Sequence, residues 1–262
     1  MIDAALLFDP ADLLNWLVHF LLPFFRIAAF LTAVPVFGNQ LVSLRIRLII
    51  ALSAAILVFP ILPALPVIDP LSLAMLFLIV EQLLIGFGLG FLVQIFFHVF
   101  VMAGQMIAMQ MGLGFASMID PTNGVSVAVL SQFYVLLVTL LFLAFNGHLV
   151  AFEVLIEGFN FLPVGGGILS QSVLYTIAAA GSWMLSSALL LALPAVTAIL
   201  IVNFAFGIMT RAAPQLNIFS LGFPFTLMFG LFILWVSLSG FLPQYQQLSA
   251  YIFKLLNQLF LS

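Results

Sequence analysis

Long uninterrupted runs of apolar residues dominate the chain. Polar breaks, or breaks rich in proline and glycine, separate six such runs: 13–36, 48–61, 71–102, 127–145, 173–209 and 218–242. A run of about 20 apolar residues is long enough to cross the hydrocarbon core of a bilayer as a helix. Apolar and polar residues do not alternate within the runs, so helices are favoured over β-barrel strands. The pattern therefore predicts an all-α, polytopic membrane protein with about six long kinked helices.

The third and fifth runs are longer than one simple crossing requires, and both contain residues that change how a helix packs. Gly86, Gly88 and Gly90 lie in the middle of the third run. Glycines at a helix surface let a neighbouring backbone approach closely. Pro194 lies inside the fifth run, where a helix tolerates it if neighbours satisfy the freed carbonyl. We therefore expect bent helices that pack on protein.

Two segments outside the runs have their own patterns. Glu153 and Glu157 follow the fourth run and are predicted to lie in a loop, one helical turn apart. Such a carboxylate pair can do acid–base work, but a solvated face is the favoured interpretation. The tail, 245–260, repeats its apolar residues at helical spacing between polar ones. It is predicted to form an amphipathic helix that lies on a surface or on a partner.

The composition narrows the classes of function. Hydrophobic residues make up 66% of the chain and charged residues 5%, whereas soluble proteins carry roughly 25% charged residues. Most of the surface must therefore face lipid or apolar protein. The net charge is -3 and there is no basic patch, so no nucleic-acid partner is expected. The absence of cysteine excludes disulfides, thiolate metal sites and a cysteine nucleophile.

The sequence gives little support to an enzyme. His19, His98 and His148 do not have a metal-binding spacing. No serine nucleophile elbow or phosphate-binding loop is recognisable. We therefore expect no catalytic residue, metal or cofactor.

Two charged residues lie among apolar neighbours. Placing an ionised group at bilayer depth costs about 2.5 to 3.5 kcal/mol on insertion scales. Arg26 and Glu81 could therefore mark a pathway or an ion pair between subunits, or could lie near a span end and reach the interface. For Arg26 the buried, paired interpretation is favoured. For Glu81 both stay open.

The segment from Met102 to Met118 holds five of the ten methionines, together with Gly112 and Gly114. Methionine is flexible and adapts to changing surfaces. A soft apolar constriction with glycine hinges suits a closure that excludes water and ions. The alternative is a core stripe, because Met102, Met106 and Met109 fit one helical face.

Several motifs, in order along nearly the whole chain, resemble those of the FliR family, the R subunits of the flagellar export gate. The central motifs are Gln110–Ala116 and Asp120–Gly124. The others are Pro35–Gly38 with Arg45 and Arg47, Asn146–Leu149, Leu193-Pro194 with Gly207, Arg211–Phe219 and Gly222–Pro224. Each motif alone is modest, but the ordered set is specific.

The resemblance implies a structural and gating subunit of the flagellar type III protein export channel in the bacterial inner membrane. It implies a P-like part, approximately 1–172, joined to a Q-like hairpin with its tail, approximately 173–262. The implied partners are the P and Q subunits, a large export-gate subunit with a cytoplasmic domain, unfolded flagellar export substrates and membrane lipid. The large subunit would dock near the loop after Arg211.

The resemblance also assigns residues. The implied channel plug comprises Met106, Met109, Gln110, Met111, Gly112, Leu113, Gly114, Phe115, Ala116 and Met118. The loop motif that follows it comprises Asp120, Pro121, Asn123 and Gly124. Arg26, Glu81 and Arg211 are expected to be buried or to lie between subunits.

Two other classes of function stay open at this point. A small-solute secondary transporter would need a polar site at membrane depth. The candidate residues for such a site, Arg26, Glu81, Gln94 and Asn203, are scattered along the sequence. A membrane-bound enzyme would need a catalytic set, which is not visible.

Overall fold

The computed structural model describes residues 10–39, 41–62, 72–113, 117–119, 126–166, 171–212 and 218–258. Helices and two short strands account for almost all of them. The elements are α1 Pro10–Ala33, α2 Pro35–Gly38, α3 Leu44–Val58, α4 Leu73–Gln110, β1 Ser117–Ile119, β2 Ser126–Ala128, α5 Val129–Ala144, α6 Gly147–Phe161, α7 Gln171–Ala212, α8 Ile218–Ser237 and α9 Phe241–Gln258. Two 3-10 turns, Phe59–Ile61 and Leu238–Gly240, follow α3 and α8. The predicted all-α class is confirmed, with one two-stranded ribbon added.

The described residues contain four segments that are long and apolar enough to cross a membrane: Leu44–Ile61, Leu73–Gln110, Tyr175–Met209 and Pro224–Asn257. The bent pair α5 and α6 makes a fifth if it is counted as one span, and Val18–Ala33 is a shorter apolar helix. Large apolar side chains stay exposed along these spans; Phe204 on α7 is 70% exposed. The chain is a multi-pass membrane protein. By length and composition the described residues therefore hold up to five spans, and Pro224–Asn257 joins the sixth apolar run to the tail.

The chain folds into two compact units, each built from separate stretches of sequence. Unit 1 comprises Met1–Gln94, Asn146–Ala178 and Phe253–Ser262, and unit 2 comprises Ile95–Phe145 and Ala179–Ile252. Each boundary between the units, apart from that at Phe145 and Asn146, falls inside a helix. Asn146 itself has a left-handed backbone, with φ 56°, and begins α6.

In unit 1, α1 packs closely on α4 because two glycines of α4 face it. A Cβ on Gly90 would lie 2.7 Å from the Cβ of Ala33 and 2.8 Å from the carbonyl oxygen of Phe30. A Cβ on Gly86 would collide with the carbonyl group of Arg26. Helices can approach this closely only where one of them has no side chain. The predicted close approach is confirmed at both glycines.

The turn between α2 and α3 is held by one arginine. Arg47 Nε donates to the carbonyl oxygen of Phe37 at 3.1 Å, and its NH2 group donates to that of Asn39 at 3.2 Å. Ser43 caps α3 by accepting a hydrogen bond from the amide of Ile46. These contacts satisfy carbonyl and amide groups that helix ends leave unpaired.

The segment that holds Glu153 and Glu157 is a helix, α6, so the loop prediction was wrong. Its buried residues recur at helical spacing: Ala151, Val154, Leu155, Gly158 and Phe159. Both glutamates are exposed on the opposite side. The two glutamates thus lie on the exposed face of an amphipathic helix, and the interpretation of that face as solvated stays a prediction.

Unit 2 has an aromatic core. Phe96 contacts Phe100 and Tyr245 edge-on, with ring centroids 5.4 and 5.6 Å apart. Phe97 meets Phe142 in the same way at 5.3 Å. Edge-to-face contacts add roughly 0.5 to 1.5 kcal/mol per pair beyond the area they bury.

The tail forms α9, and its predicted amphipathic character is confirmed. Phe241, Tyr245, Ile252 and Leu256 are buried, at spacings of a helical face. The intervening polar residues, Gln246, Gln247, Lys254 and Asn257, are exposed. In unit 2 the buried face packs on the chain itself, since Tyr245 joins the aromatic core.

Candidate channel lip

The candidate site begins at the carboxyl end of α4, in unit 2. The helix continues through Met106 and Met109 to Gln110. The first five positions of the predicted plug segment, 106–110, are therefore helical, because no residue before Gly112 interrupts the helix. The segment 112–127, which follows α4 and ends within β2, is called the lip here.

A glycine ends the helix and starts the lip. Gly112 has φ 80°, in the left-handed region that glycine adopts without a steric penalty. Its amide donates to the carbonyl oxygen of Met109 at 3.2 Å, and the amide of Met111 donates to that of Ile107 at 3.0 Å. These are the bonds of a glycine-terminated helix end. The chain direction therefore changes at a defined residue.

Met111, the last residue before this turn, is held in a notch on α8. Its side chain is fully buried, at 0% exposure. The notch exists because residue 230 is glycine: a Cβ there would lie 2.6 Å from Met111 Cγ, 2.7 Å from its Cε and 2.9 Å from its Sδ. Asn203 of α7 also donates its side-chain amide to the carbonyl oxygen of Gln110, at 3.4 Å. The start of the lip is thus fixed to α7 and α8.

The other end of the lip returns to α4, six residues before Met111. Gln105 Oε1 accepts a hydrogen bond from the main-chain amide of Ala128 at 3.0 Å. Ser131 Oγ donates to the carbonyl oxygen of Val101 at 2.9 Å. A Cβ on Gly104 would lie 2.7 Å from Ser131 Cα, so α4 and the start of α5 are in close contact. The carboxyl end of the lip is thus anchored on α4, close in sequence to the residue at which the lip begins.

Within the lip, β1 and β2 pair antiparallel. Ser117 pairs with Ala128, Met118 with Val127 and Ile119 with Ser126. Of the predicted plug and loop motif, Gly114, Phe115, Ala116, Asp120, Pro121, Asn123 and Gly124 lie outside the described residues. Met118 is described in its main chain alone.

The three described methionines of the predicted plug have different surroundings. Met106 is half-buried, Met109 is 62% exposed and Met111 is buried. Leu113 is half-buried. Of the alternative core stripe, Met102 and Met106 are half-buried in this chain and Met109 is exposed.

The charged candidates lie elsewhere. In unit 1, Arg26 is fully buried: its Nε donates to Gln82 Oε1 at 2.7 Å, NH1 to Gly158 O at 3.1 Å and NH2 to Leu162 O at 2.9 Å. Its guanidinium also lies over the Phe159 ring, with Arg26 Cζ 4.1 Å from the ring centroid. The guanidinium thus satisfies carbonyls at the carboxyl end of α6, which a helix leaves unpaired.

The other two charged candidates differ from Arg26 in exposure. Glu81 is half-buried, on α4 beside Gln82, and attracts the Arg26 guanidinium electrostatically. Arg211, in the last turn of α7, is exposed in this chain. Whether either of them meets another subunit stays a prediction.

Sequence reasoning missed the residues that anchor the lip. Gly230 and Ser131 belong to no segment that was singled out, Gln105 was not named as a candidate, and Asn203 was considered only for a transport site. Gln105 lies within the methionine-rich segment, so its polarity among apolar neighbours was an available signal. Nothing in the sequence around Gly230 marked it, because the glycine matters only through its contact with Met111, which is distant in sequence.

Comparison with known proteins identifies relatives along most of the chain. Residues 17–251 match the family "Bacterial export proteins, family 1". Flagellar biosynthetic protein FliR of Pectobacterium carotovorum is 37% identical over 251 residues, which cover 96% of both chains. The protein of the same name from Escherichia coli K12 is 38% identical over 245 residues, 93% of each chain. That of Bacillus subtilis 168 is 29% identical over 223 residues, 84% of this chain and 86% of the relative.

Proposed function

The chain belongs to the FliR family of bacterial export proteins, and from that premise we propose that it is a structural and gating subunit of the flagellar type III protein export channel. The observation that carries the proposal is the family match over residues 17–251. The apolar, multi-pass architecture supports it, since such a subunit must be embedded in a membrane assembly. The role is structural rather than enzymatic.

The proposal includes partners and location. The chain joins P and Q subunits in the bacterial inner membrane, and its apolar exposed faces contact those subunits or lipid. Residues 1–172 serve as its P-like part and 173–262 as its Q-like hairpin with the tail. Unfolded flagellar substrates pass the assembled channel, and the large export-gate subunit docks near the exposed Arg211.

The lip is the proposed seal. Three properties of the described residues support this role: an exposed methionine at the end of a long apolar helix, a glycine that turns the chain, and anchors at both ends of the segment. Apolar side chains that meet across a narrow opening exclude water and ions without a chemical bond. A passing polypeptide can displace them, because methionine adopts many rotamers.

Deletion of residues 112–116 tests the seal. Cells that carry the deletion are expected to leak ions through the export apparatus, while export of flagellar substrates continues at least in part. The measurement is membrane conductance, compared with cells that carry the unaltered chain. Co-purification of the P and Q subunits serves as the control for assembly. Unchanged conductance in a fully assembled complex would contradict the sealing role.

The transporter hypothesis is not favoured. Its candidate residues have structural partners within this chain: the guanidinium donors of Arg26 bind α6 carbonyls and Gln82, and Asn203 binds the carbonyl of Gln110. Solute uptake by the purified chain alone would be needed to revive it.

A further inference from the structure

We propose that a groove between α7 and α9, within unit 2, binds one membrane phospholipid and recognises the ester carbonyls of its glycerol region. The groove has a volume of about 440 Å³, which is within the size range of sites for small ligands. The residues that line it lie between Trp183 and Leu191 on α7 and between Gln244 and Tyr251 on α9. The inference goes beyond the proposed export function, because it assigns a ligand to residues outside the lip.

One side chain of the groove is a buried hydroxyl without a partner. Ser187 is 7% exposed and lines the groove. Within the described part of the chain its Oγ makes no hydrogen bond, whereas Oγ of its neighbour Ser186 donates to the carbonyl oxygens of Ser182 and Trp183, both at 3.0 Å. Leaving a buried polar group unpaired is costly. The Ser187 hydroxyl therefore indicates a ligand that brings an acceptor to it.

The groove is uncharged but rich in hydrogen-bonding groups, which decides the part of a lipid that it can bind. None of the described residues that line it has a formally charged side chain. A tightly bound phosphate would need arginine or lysine partners. Gln244 and Gln247 instead supply amide donors, and Ser187 a hydroxyl, beside apolar leucines. Neutral carbonyl oxygens on an apolar body are the complementary chemistry, and the ester groups of a phospholipid provide it.

The position of the groove along the two spans fits the glycerol level of a bilayer. The spans Tyr175–Met209 and Pro224–Asn257 hold 35 and 34 residues, whereas about 20 are enough to cross the hydrocarbon core. The groove lies near the first residue of one span and near the last residue of the other. Trp183 and Tyr251 line it and stack, with ring centroids 4.9 Å apart. Tryptophan and tyrosine are enriched at this level, where the bilayer meets water.

An apolar surface continues from the groove along α7. Leu190 lines the groove and is exposed, and Leu193, one helical turn further on, is exposed as well. Both lie further into the span Tyr175–Met209 than Ser187 does. An acyl chain can follow these leucines while its ester group stays at Ser187. One lipid therefore accounts for both the polar and the apolar part of the surface.

Brominated phospholipids test the site through Trp183. Bromine quenches tryptophan fluorescence at short range, and the signal of Trp183 is the difference between the chain and its Trp183→Phe variant. The purified full chain, in lipid-free detergent, is titrated with phosphatidylglycerol that carries bromine near the ester end of one acyl chain. We expect saturable quenching, with the same midpoint for phosphatidylethanolamine. A dialkyl ether analogue lacks the carbonyls and should need a roughly three- to tenfold higher concentration.

Two adjacent serines provide a matched pair of variants. Ser187→Ala removes the unpartnered hydroxyl and should raise the midpoint for the ester lipid roughly threefold or more, without changing that for the ether analogue. Ser186→Ala removes a hydroxyl that already bonds within α7, so the midpoint should stay the same. A similar rise in both variants would contradict recognition by Ser187.

The free energy of unfolding separates lost binding from lost folding. In lipid-free detergent Ser187→Ala should be no less stable than the unaltered chain, because alanine is the better helix former. In excess ester lipid the unaltered chain should gain more stability than the variant, since a ligand that binds the folded state stabilises it. Equal gains would count against the site.

Three further results would overturn the proposal. The first is the absence of saturable quenching, or equal midpoints for the ester and ether lipids, because then no carbonyl is recognised. The second is a strong preference for one headgroup, which would place the binding at charged residues outside the groove. The third is loss of the Trp183 quenching when the Q subunit is co-purified, which would assign the groove to a protein partner.

Discussion

Replacement of Gly90 by alanine is expected to strain the contact between α1 and α4, whereas the same change at Gly88 is expected to be tolerated. Gly90 faces α1, where a Cβ would lie 2.7 Å from Ala33 Cβ and 2.8 Å from Phe30 O. At Gly88 the nearest atom would be Ile177 Cδ1 at 3.6 Å, an ordinary van der Waals distance. The two glycines lie in the same helix, two residues apart, so they form a matched pair.

The expected change in the free energy of unfolding is the sum of a steric cost and a gain in helix propensity. Inserting a methyl group into a closely packed contact costs typically 1 to 3 kcal/mol. Glycine to alanine inside a helix regains roughly 1 kcal/mol of helix propensity. Gly88→Ala is expected to stabilise the protein slightly, and Gly90→Ala to destabilise it by about 0 to 2 kcal/mol. Because the propensity term is common to both, the difference between the variants isolates the steric cost of about 1 to 3 kcal/mol.

The assay is the free energy of unfolding of the purified protein, from denaturation with SDS followed by tryptophan fluorescence. Both variants are measured in the same detergent as the unaltered chain. The reasoning is refuted if the two variants agree within roughly 0.5 kcal/mol, which is the size of ordinary surface effects, or if Gly88→Ala is the less stable of the two.

Three further changes can be measured by the same denaturation. Arg26→Ala is expected to cost about 3 to 5 kcal/mol because it breaks a buried charged network. Arg26→Met is also expected to lower the free energy of unfolding, because the Gln82 side-chain amide loses its partner. Adding Gln82→Leu removes that amide and should restore part of the loss. A double variant no more stable than Arg26→Met would argue against the network. Gly112→Ala is expected to cost about 1 to 2 kcal/mol, because residue 112 has a left-handed backbone that alanine adopts with strain. Gly112→Asn should cost less, because asparagine tolerates this conformation better. Equal costs for the two variants would contradict this explanation. Tyr245→Ala is expected to cost about 3 to 5 kcal/mol as a buried aromatic, whereas the exposed Lys254→Ala should change little, and a similar loss in both would count against the aromatic core.

The sequence alone predicted the features that depend on local pattern. Apolar runs located the long helices, and spacing located the amphipathic face of α9. The glycines of the third run predicted close packing because a missing side chain has the same meaning in any helix. The helix α6 was missed because the segment with the two glutamates, after the fourth apolar run, was predicted to be a loop, whereas its buried residues from Ala151 to Phe159 have the period of a helix.

The rest depended on contacts between residues that are distant along the chain. The notch for Met111 arises only when α8 brings Gly230 against it, and the partners of Arg26 come from α4 and α6. No local period marks such pairs. The motif residues Asp120 to Gly124 were located by resemblance, and they lie outside the described residues, so their role stays a prediction.

The partners of Arg26 have a consequence for how the chain is made. Gly158 and Leu162, whose carbonyls it binds, lie 132 and 136 positions later in the sequence. At about 5 to 20 residues per second, the ribosome needs roughly 7 to 26 seconds to add those 132 residues. During that interval a newly inserted α1 carries a guanidinium without its final acceptors. Chains that stop before α6 should therefore be recognised by quality-control proteases, and completion of α6 becomes the point in biogenesis at which the first helix is secured.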